Sequence, residues 1–325
     1  MRLTGTYVPP ERGLTYRRSE SEGEQCMMAK KSESIASKTE NLGDTPDKWE
    51  TIDWERAEAQ VSRMQCRISK AQLKGDKNLV KRLQHLLVSS FYAKALAVKR
   101  VTSNKGKRTA GVDGELWLTS EAKMDAVKSL NVGPYRAKPL RRVYIPKRNG
   151  KLRPLSIPTM YDRSTQALYQ MALDPVQEAT ADPNSYGFRK GRCCQDAMEQ
   201  LFRMLSKRTS ATWVLEGDIR GCFDRISHDW LMKNIPMDNT ILKRFLKADF
   251  VFKEMMFPNE EGTPQGGVIS PTLANMALNG MERLIREHFG KNSSVNVTRY
   301  ADDFVVTCPT REKAEEAKNI LASFF

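Results

Sequence analysis

From Thr51 the apolar positions fall at helical spacing. Ile52, Ala57, Val61, Met64 and Ile68 mark one face of a segment that runs to Gly75, which predicts an amphipathic helix. A second helix is predicted from about Asp76, with Leu79, Leu83, Leu86, Leu87 and Phe91 on one face and Lys/Arg on the other. Further on, the period changes to that of strands. Two short β-prone runs within Arg141–Pro158 flank Asn149-Gly150, the strongest short-range signal for a hairpin. Thr212–Ile219 reads as a short buried strand that delivers Asp218 near its end. Val295–Tyr300 and Phe304–Thr307 are β-prone and separated by Ala301-Asp302-Asp303, so both aspartates are expected at a hairpin tip. The chain then returns to a helix-like segment over Arg311–Phe325. Residues 1–48, by contrast, are rich in Ser, Glu, Lys and Gly with few large apolar side chains, and they read as a mostly disordered leader.

Composition sharpens this pattern. A chain of 325 residues with 40% apolar content can bury a substantial core. Its formal charge of +14 is regional: residues 61–110 carry 13 Lys/Arg against the single acid Asp76, and residues 131–153 carry 8 against none. Outside those windows the chain is net acidic. Basic stripes of this kind suit a polyanion, because each neutralised phosphate releases condensed counterions; solvated faces of an ordinary basic protein would look the same. The six cysteines include no C-x-x-C pair and the three histidines are scattered, so neither a zinc site nor a disulfide framework is indicated. No apolar run reaches transmembrane length and Met1–Tyr16 lacks a signal-peptide stretch. A cytoplasmic location without membrane association is expected.

Several loops and turns carry candidate chemistry. Ser103–Gly114 combines turn formers with three cations and is expected to lie over a nucleic-acid backbone. The hairpin bearing Lys147, Lys151 and Arg153 could cover a triphosphate or could be a plain surface hairpin. Asp302 and Asp303, adjacent and like-charged, are unfavourable unless a cation lies beside them, although Asp-Asp is also ordinary turn chemistry. With Asp218 on a neighbouring strand they make the oxygen-rich donor set that Mg²⁺ prefers, enough for phosphoryl transfer by two metal ions. Between these elements, Gly262–Asn275 holds Pro264-Gln265-Gly266-Gly267 and then Ser270-Pro271. Ser270 is expected to cap a helix whose first turn contains the proline, and the glycines before it allow a close backbone approach to a ligand.

Taken in order, the cationic hairpin, the Asp218 strand, Pro264-Gln265-Gly266 and Tyr300-Ala301-Asp302-Asp303 resemble the successive motifs of reverse transcriptases. Three further segments narrow the resemblance to the reverse transcriptase/maturase proteins encoded in bacterial group II introns. They are Thr109–Gly114, Ile157–Arg163 and Tyr186-Gly187-Phe188-Arg189-Lys190-Gly191-Arg192. The resemblance spans roughly residues 50–325. It implies an α+β right-hand polymerase fold, with an antiparallel palm sheet backed by helices and with helical and β-hairpin fingers. The implied organisation is a leader over 1–48, an N-terminal basic helical region over 49–115, and fingers and palm over 116–325.

The same resemblance implies roles. Asp218 and Asp302 would be the main ligands of two Mg²⁺ ions, supported by Asp303 and the Ile219 carbonyl. Lys147 and Arg153 would hold the incoming triphosphate, and Gln265 would line the nucleotide pocket. Phe223, five residues after Asp218, matches the bulky residue that excludes a ribose 2′-hydroxyl. The implied activity is RNA-directed DNA synthesis from dNTPs on a DNA primer, coupled to intron RNA binding as a maturase. Because such proteins continue past the palm into thumb and maturase domains, and this chain stops at Phe325, a truncated chain is expected. Two other readings stay open: a polymerase-inactive RNA-binding splicing factor built on the basic helices, and an RNA-dependent RNA polymerase or retron-type enzyme on the same palm.

Overall fold

The computed structural model describes residues 2–6, 46–130, 135–146, 150–259, 261–290 and 293–325. Three helices open the globular part. Helix α1 (Trp54–Leu73) begins where the Asp53 carboxylate accepts from the Arg56 amide at 3.0 Å, and α2 (Lys77–Ser89) begins in the same way at Asp76, which accepts from Leu79 at 2.9 Å. Between them Gly75 takes φ +74, the left-handed turn that ends a helix most cheaply with glycine. The second predicted helix is in fact two. The chain leaves helical geometry at Ser90 (φ −67, ψ 133) and restarts as α3 (Phe91–Ser103), so Phe91 belongs to the following element. Leu86 is 54% exposed rather than core-facing. One residue, or about 100° of helix, separates it from the buried Leu87.

These helices wrap a long central helix, α5 (Met160–Thr180), and α4 (Ser120–Ser129) packs on the far side of α3. Val61, Ile68, Leu83, Leu87 and Ala97 meet Leu168, Leu173 and Val176 in one core cluster. The predicted loop over Ser103–Gly114 is tied down on the start of α5. Buried Arg163 donates to the carbonyls of Gly106 (3.1 Å) and Thr109 (2.6 Å). A Cβ on Gly111 would lie 2.7 Å from the Thr159 Cα, which leaves glycine as the residue that fits.

Strands β2 (Leu140–Pro146) and β3 (Leu152–Ile157) form the expected antiparallel hairpin, in register from Arg141↔Ile157 to Pro146↔Leu152. Its connection over residues 147–149, and with it Lys147, lies outside the described residues. With β5 (Phe250–Phe252) and β6 (Met255–Phe257) the hairpin makes a mixed sheet of order β3-β2-β5-β6.

The second sheet is antiparallel throughout, of order β1-β4-β8-β7. It comprises β4 (Trp213–Asp218), β7 (Asn296–Tyr300), β8 (Asp303–Cys308) and the edge strand β1 (Arg2–Thr6). Strand β1 falls inside the stretch whose composition reads as a disordered leader, and it pairs with β4 from Arg2↔Asp218 to Thr6↔Val214. Helix α6 (Cys194–Leu205) leads into β4, and the short helices α7 (Cys222–Arg225), α8 (His228–Asn234), α9 (Asn239–Leu246) and α10 (Ser270–Ala277) lie between β4 and β7. One face of the second sheet is packed by α11 (Met281–Phe289) and α12 (Arg311–Phe324), with Leu215, Met281, Ile285, Val297, Phe304, Val306 and Leu321 as its core. The architecture is α+β: an antiparallel palm sheet backed by helices, preceded by a helical region and a hairpin sheet.

Candidate active site

Strand alternation explains where the carboxylates stand. Along β4, Leu215 and Gly217 face the core while Glu216 and Asp218 are exposed, and along β8 Phe304 is buried while Asp303 is exposed. Asp218 and Asp303 are direct cross-strand partners, so their Cβ atoms share one face at about 5 Å. The Ile219 amide donates to the Asp302 carbonyl at 3.2 Å, which fixes the turn bearing Asp302 against the end of β4. The arrangement brings Asp218, Ile219, Asp302 and Asp303 to one end of the sheet.

Close packing beneath the site holds this register. A Cβ on Gly217 would stand 2.2 Å from Cζ of Phe304, far inside carbon–carbon contact distance. Glycine lets the Phe304 ring, 2% exposed, lie flat under the strand pair. Above it, burial raises the Asp303 carboxyl from its ordinary range, and the charges of Asp302, Asp218 and Glu216 push it further the same way. Crowded like charges with only oxygen donors are the chemistry that suits a hard divalent cation. Among the described residues no group of three or more His, Cys, Asp or Glu side chains is gathered into a formed metal site.

The turn itself is held from behind. Ala301 takes φ +59, a conformation that costs an L-residue about 1–2 kcal/mol. Buried Arg299 donates through Nη1 to the Ala301 carbonyl (2.9 Å) and to Asn275 Oδ1 (3.1 Å). Asn275 in turn donates to the Gly187 carbonyl at 2.8 Å, and Gly187 packs so closely that a Cβ there would meet the Ala301 nitrogen at 2.4 Å. Residues 184–186 run along the open edge of β7: the Arg299 amide donates to Asn184 O, and the Tyr186 amide to Arg299 O, both at 2.9 Å. None of Arg299, Asn275 or Gly187 carries a sequence signal of this role, since in a sequence a buried arginine looks like any surface cation.

Three of the remaining candidate residues, Arg153, Phe223 and Gln265, come together around the Pro264–Gly267 loop. Gln265 sits at the centre: its Oε1 accepts from Arg153 Nε at 3.1 Å, and its Nε2 donates to both Asp224 oxygens at 3.0 and 2.9 Å. Its carbonyl accepts from the Ser156 amide at 2.7 Å, and Gly266, at φ +107, lies where a Cβ would strike Ser156 O at 2.5 Å. The Pro264–Gly267 loop is thereby laid along the open edge of β3. On its other side Thr263 N donates to Phe223 O at 2.6 Å. Phe223 follows Gly221, which takes φ +66, and stands in the short helix α7. Asp224, in the short helix α7, thus holds the Gln265 side chain from the side opposite Arg153.

One local expectation is corrected. Helix α10 has Ile269, not Ser270, at its N-cap; Ser270 is already inside the helix, and its hydroxyl donates back to the Pro264 carbonyl at 2.9 Å. Two glycines before the helix bring Pro264 near enough to offer that competing acceptor.

The reverse transcriptase (RNA-dependent DNA polymerase) family model matches residues 145–325, and the model of the N-terminal domain of reverse transcriptase matches residues 49–130. The chain is 34% identical over 269 residues to protein YkfC of Escherichia coli, covering 70% of each chain. It is 34% identical over 246 residues to the group II intron-encoded protein LtrA of Lactococcus lactis, covering 71% of this chain and 40% of LtrA. To the putative COX1/OXI3 intron 1 protein of Saccharomyces cerevisiae it is 32% identical over 210 residues, 59% of this chain and 24% of that one. The chain therefore spans less than half the length of the two intron-encoded relatives.

Proposed function

The chain belongs to the reverse transcriptase family, and from that premise we propose that it extends a DNA primer on an RNA template, in association with a group II intron RNA. The convergence of Asp218 on β4, Asp303 opposite it on β8 and Asp302 in the turn just before β8 carries this reading. In it, these carboxylates and the Ile219 carbonyl would hold two Mg²⁺ ions, which when bound would activate the primer 3′-hydroxyl and stabilise the leaving pyrophosphate. The residues do the rest by position. Arg153, on the hairpin sheet, offers a guanidinium to the triphosphate, and Lys147 is assigned the same task from its place in the motif. Gln265, oriented by Asp224, lines the pocket beside the incoming base and sugar. Phe223 takes up the space a ribose 2′-hydroxyl would need, which selects dNTPs over rNTPs.

The basic helices supply the RNA contact. Arg63, Arg67 and Lys70 on α1, Lys74 just after it, and Lys77, Lys81 and Arg82 on α2 are all exposed. This surface also supports a second reading, in which the chain holds structured RNA as a splicing factor without polymerising. Primer extension on an RNA template with Mg²⁺ and dNTPs separates the two. Under the polymerase reading the wild-type chain extends, Asp302→Ala abolishes extension, and Phe223→Ala admits ribonucleotides. A folded wild-type chain that binds RNA equally with and without Asp302 and never extends the primer supports the splicing-factor reading instead. No helix among the described residues is long and apolar enough to cross a membrane.

A further inference from the structure

Phe188 has no part in the reading above, yet its geometry is unusual. It takes φ +60, a backbone conformation that residues with a side chain rarely adopt, and the residue is 54% exposed. An exposed phenylalanine in a left-handed backbone gains little from burial and is strained by its own Cβ. The surroundings impose the conformation. On one side, Gly187 is pressed on the Ala301 nitrogen and its carbonyl is held by Asn275. On the other, Arg189 is locked by hydrogen bonds to the carbonyls of Asp182 (2.9 Å) and Ser185 (2.6 Å) and by a two-pronged pair with Glu178. Residue 188 is held between these two anchors, and the ring it projects meets Phe223 in edge-to-face contact, with centroids 6.2 Å apart and planes at 75°.

We propose that Phe188 is a specificity-determining positioning residue, whose ring braces Phe223 so that it stays in the space a ribose 2′-hydroxyl would occupy. This rests on the reading of Phe223 as the sugar gate. A phenyl ring in a short helix after a left-handed glycine can rotate away from an added hydroxyl unless something stands behind it. Phe188 is the ring that stands there, and its backbone is fastened to the same Ala301 turn that carries Asp302. Gate and carboxylates are thereby referred to one rigid segment, residues 184–189.

The test uses the full chain with Phe188→Gly, Phe188→Tyr and Phe223→Ala, and reads the preference for dGTP over GTP in two ways. One is single-nucleotide addition on an RNA template. The other is stabilisation of the complex with a dideoxy-terminated primer, which needs no catalysis. Melting temperature is recorded for each variant. Loss of an edge-to-face pair should lower the dGTP/GTP preference about three- to tenfold in Phe188→Gly. The melting temperature should be unchanged or higher, because glycine tolerates the positive φ; Phe188→Tyr, which keeps the ring, should retain the wild-type preference. If Phe223→Ala relaxes the preference while Phe188→Gly leaves it at the wild-type value, the brace is refuted and the gate stands. If Phe223→Ala itself changes nothing, the gate reading fails and the brace falls with it. A preference lost together with melting temperature, and not restored in Phe188→Tyr, makes the ring merely structural and also overturns the proposal.

Discussion

Replacing Gly217 with alanine tests how the carboxylate strands are held in register. The added methyl would lie 2.2, 2.6 and 2.7 Å from Cζ, Cε2 and Cε1 of Phe304. Carbon atoms pack at about 3.5–4.0 Å, so the overlap approaches or exceeds an ångström against three atoms of one ring. Phe304 cannot swing out: it is 2% exposed and packed among Met281, Ile285, Val306 and Leu321. Either the ring is forced into that core or β4 is pushed off β8, and both are overpacking, which costs about 1–3 kcal/mol. The second outcome also separates Asp218 from Asp303. Gly217→Ala should therefore lower unfolding stability by about 2 kcal/mol and reduce primer extension on the order of 10- to 100-fold, as expected for a displacement of about 1 Å at reacting groups. Phe304→Leu removes ring atoms from the clash. Combined with Gly217→Ala it should give a double variant more stable than the sum of the single losses by about 1 kcal/mol or more. Urea unfolding of the four proteins measures this cycle. Gly217→Ala within about 0.5 kcal/mol of wild type, or strict additivity in the cycle, would falsify the packing argument.

Three further outcomes follow from the same geometry. Arg299→Met, by leaving the Ala301 carbonyl and Asn275 Oδ1 without their donor, should cost about 2–3 kcal/mol in unfolding stability; a change under about 0.5 kcal/mol would mean the clamp behind the Asp302 turn is idle. Asp224→Ala frees Gln265 from an exposed hydrogen-bonded pair. Stability should stay within about 0.5 kcal/mol while KM for dNTP rises, and steady-state primer-extension kinetics showing the opposite pattern would count against Gln265 being oriented by Asp224. Replacing Lys70, Lys74 and Lys77 together with alanine should flatten the dependence of RNA affinity on salt, by about 0.7 in log–log slope for each phosphate of single-stranded RNA that these lysines neutralise. A parallel line displaced in affinity with no change of slope would place RNA elsewhere.

The carboxylate strands were readable because their signals are local. Thr212–Ile219 and the runs on either side of Ala301-Asp302-Asp303 are β-prone in sequence, and the strands observed, Trp213–Asp218, Asn296–Tyr300 and Asp303–Cys308, fall on those runs. The hairpin of β2 and β3 was equally local. What supports the site was not readable, because it depends on partners far apart in sequence: Gly217 under Phe304, Arg299 against Asn275, Gly187 against Ala301. Ser270 shows how a local rule is overridden, since a nearby carbonyl of Pro264 competes for the hydroxyl that would otherwise cap the helix. The break at Ser90 has a similar origin: apolar spacing continues through Phe91, but the chain turns there so that both α2 and α3 can pack on α5. Edge strand β1 lies within a polar stretch whose composition carries no strand signal, and it pairs with β4 through its backbone.

In the proposed site, Asp218, Asp302 and Asp303 gather the two metal ions of nucleotidyl transfer. Crystals of the chain with an RNA template, a dideoxy-terminated DNA primer, the matching dNTP and Mn²⁺ in place of Mg²⁺ test it most directly through anomalous scattering. A pair of manganese peaks about 3.5–4 Å apart is expected, bounded by the Asp218 and Asp302 carboxylates and the Ile219 carbonyl, with nucleotide phosphates on their open side. A bound dNTP whose manganese lies away from Asp218 and Asp302 would contradict it.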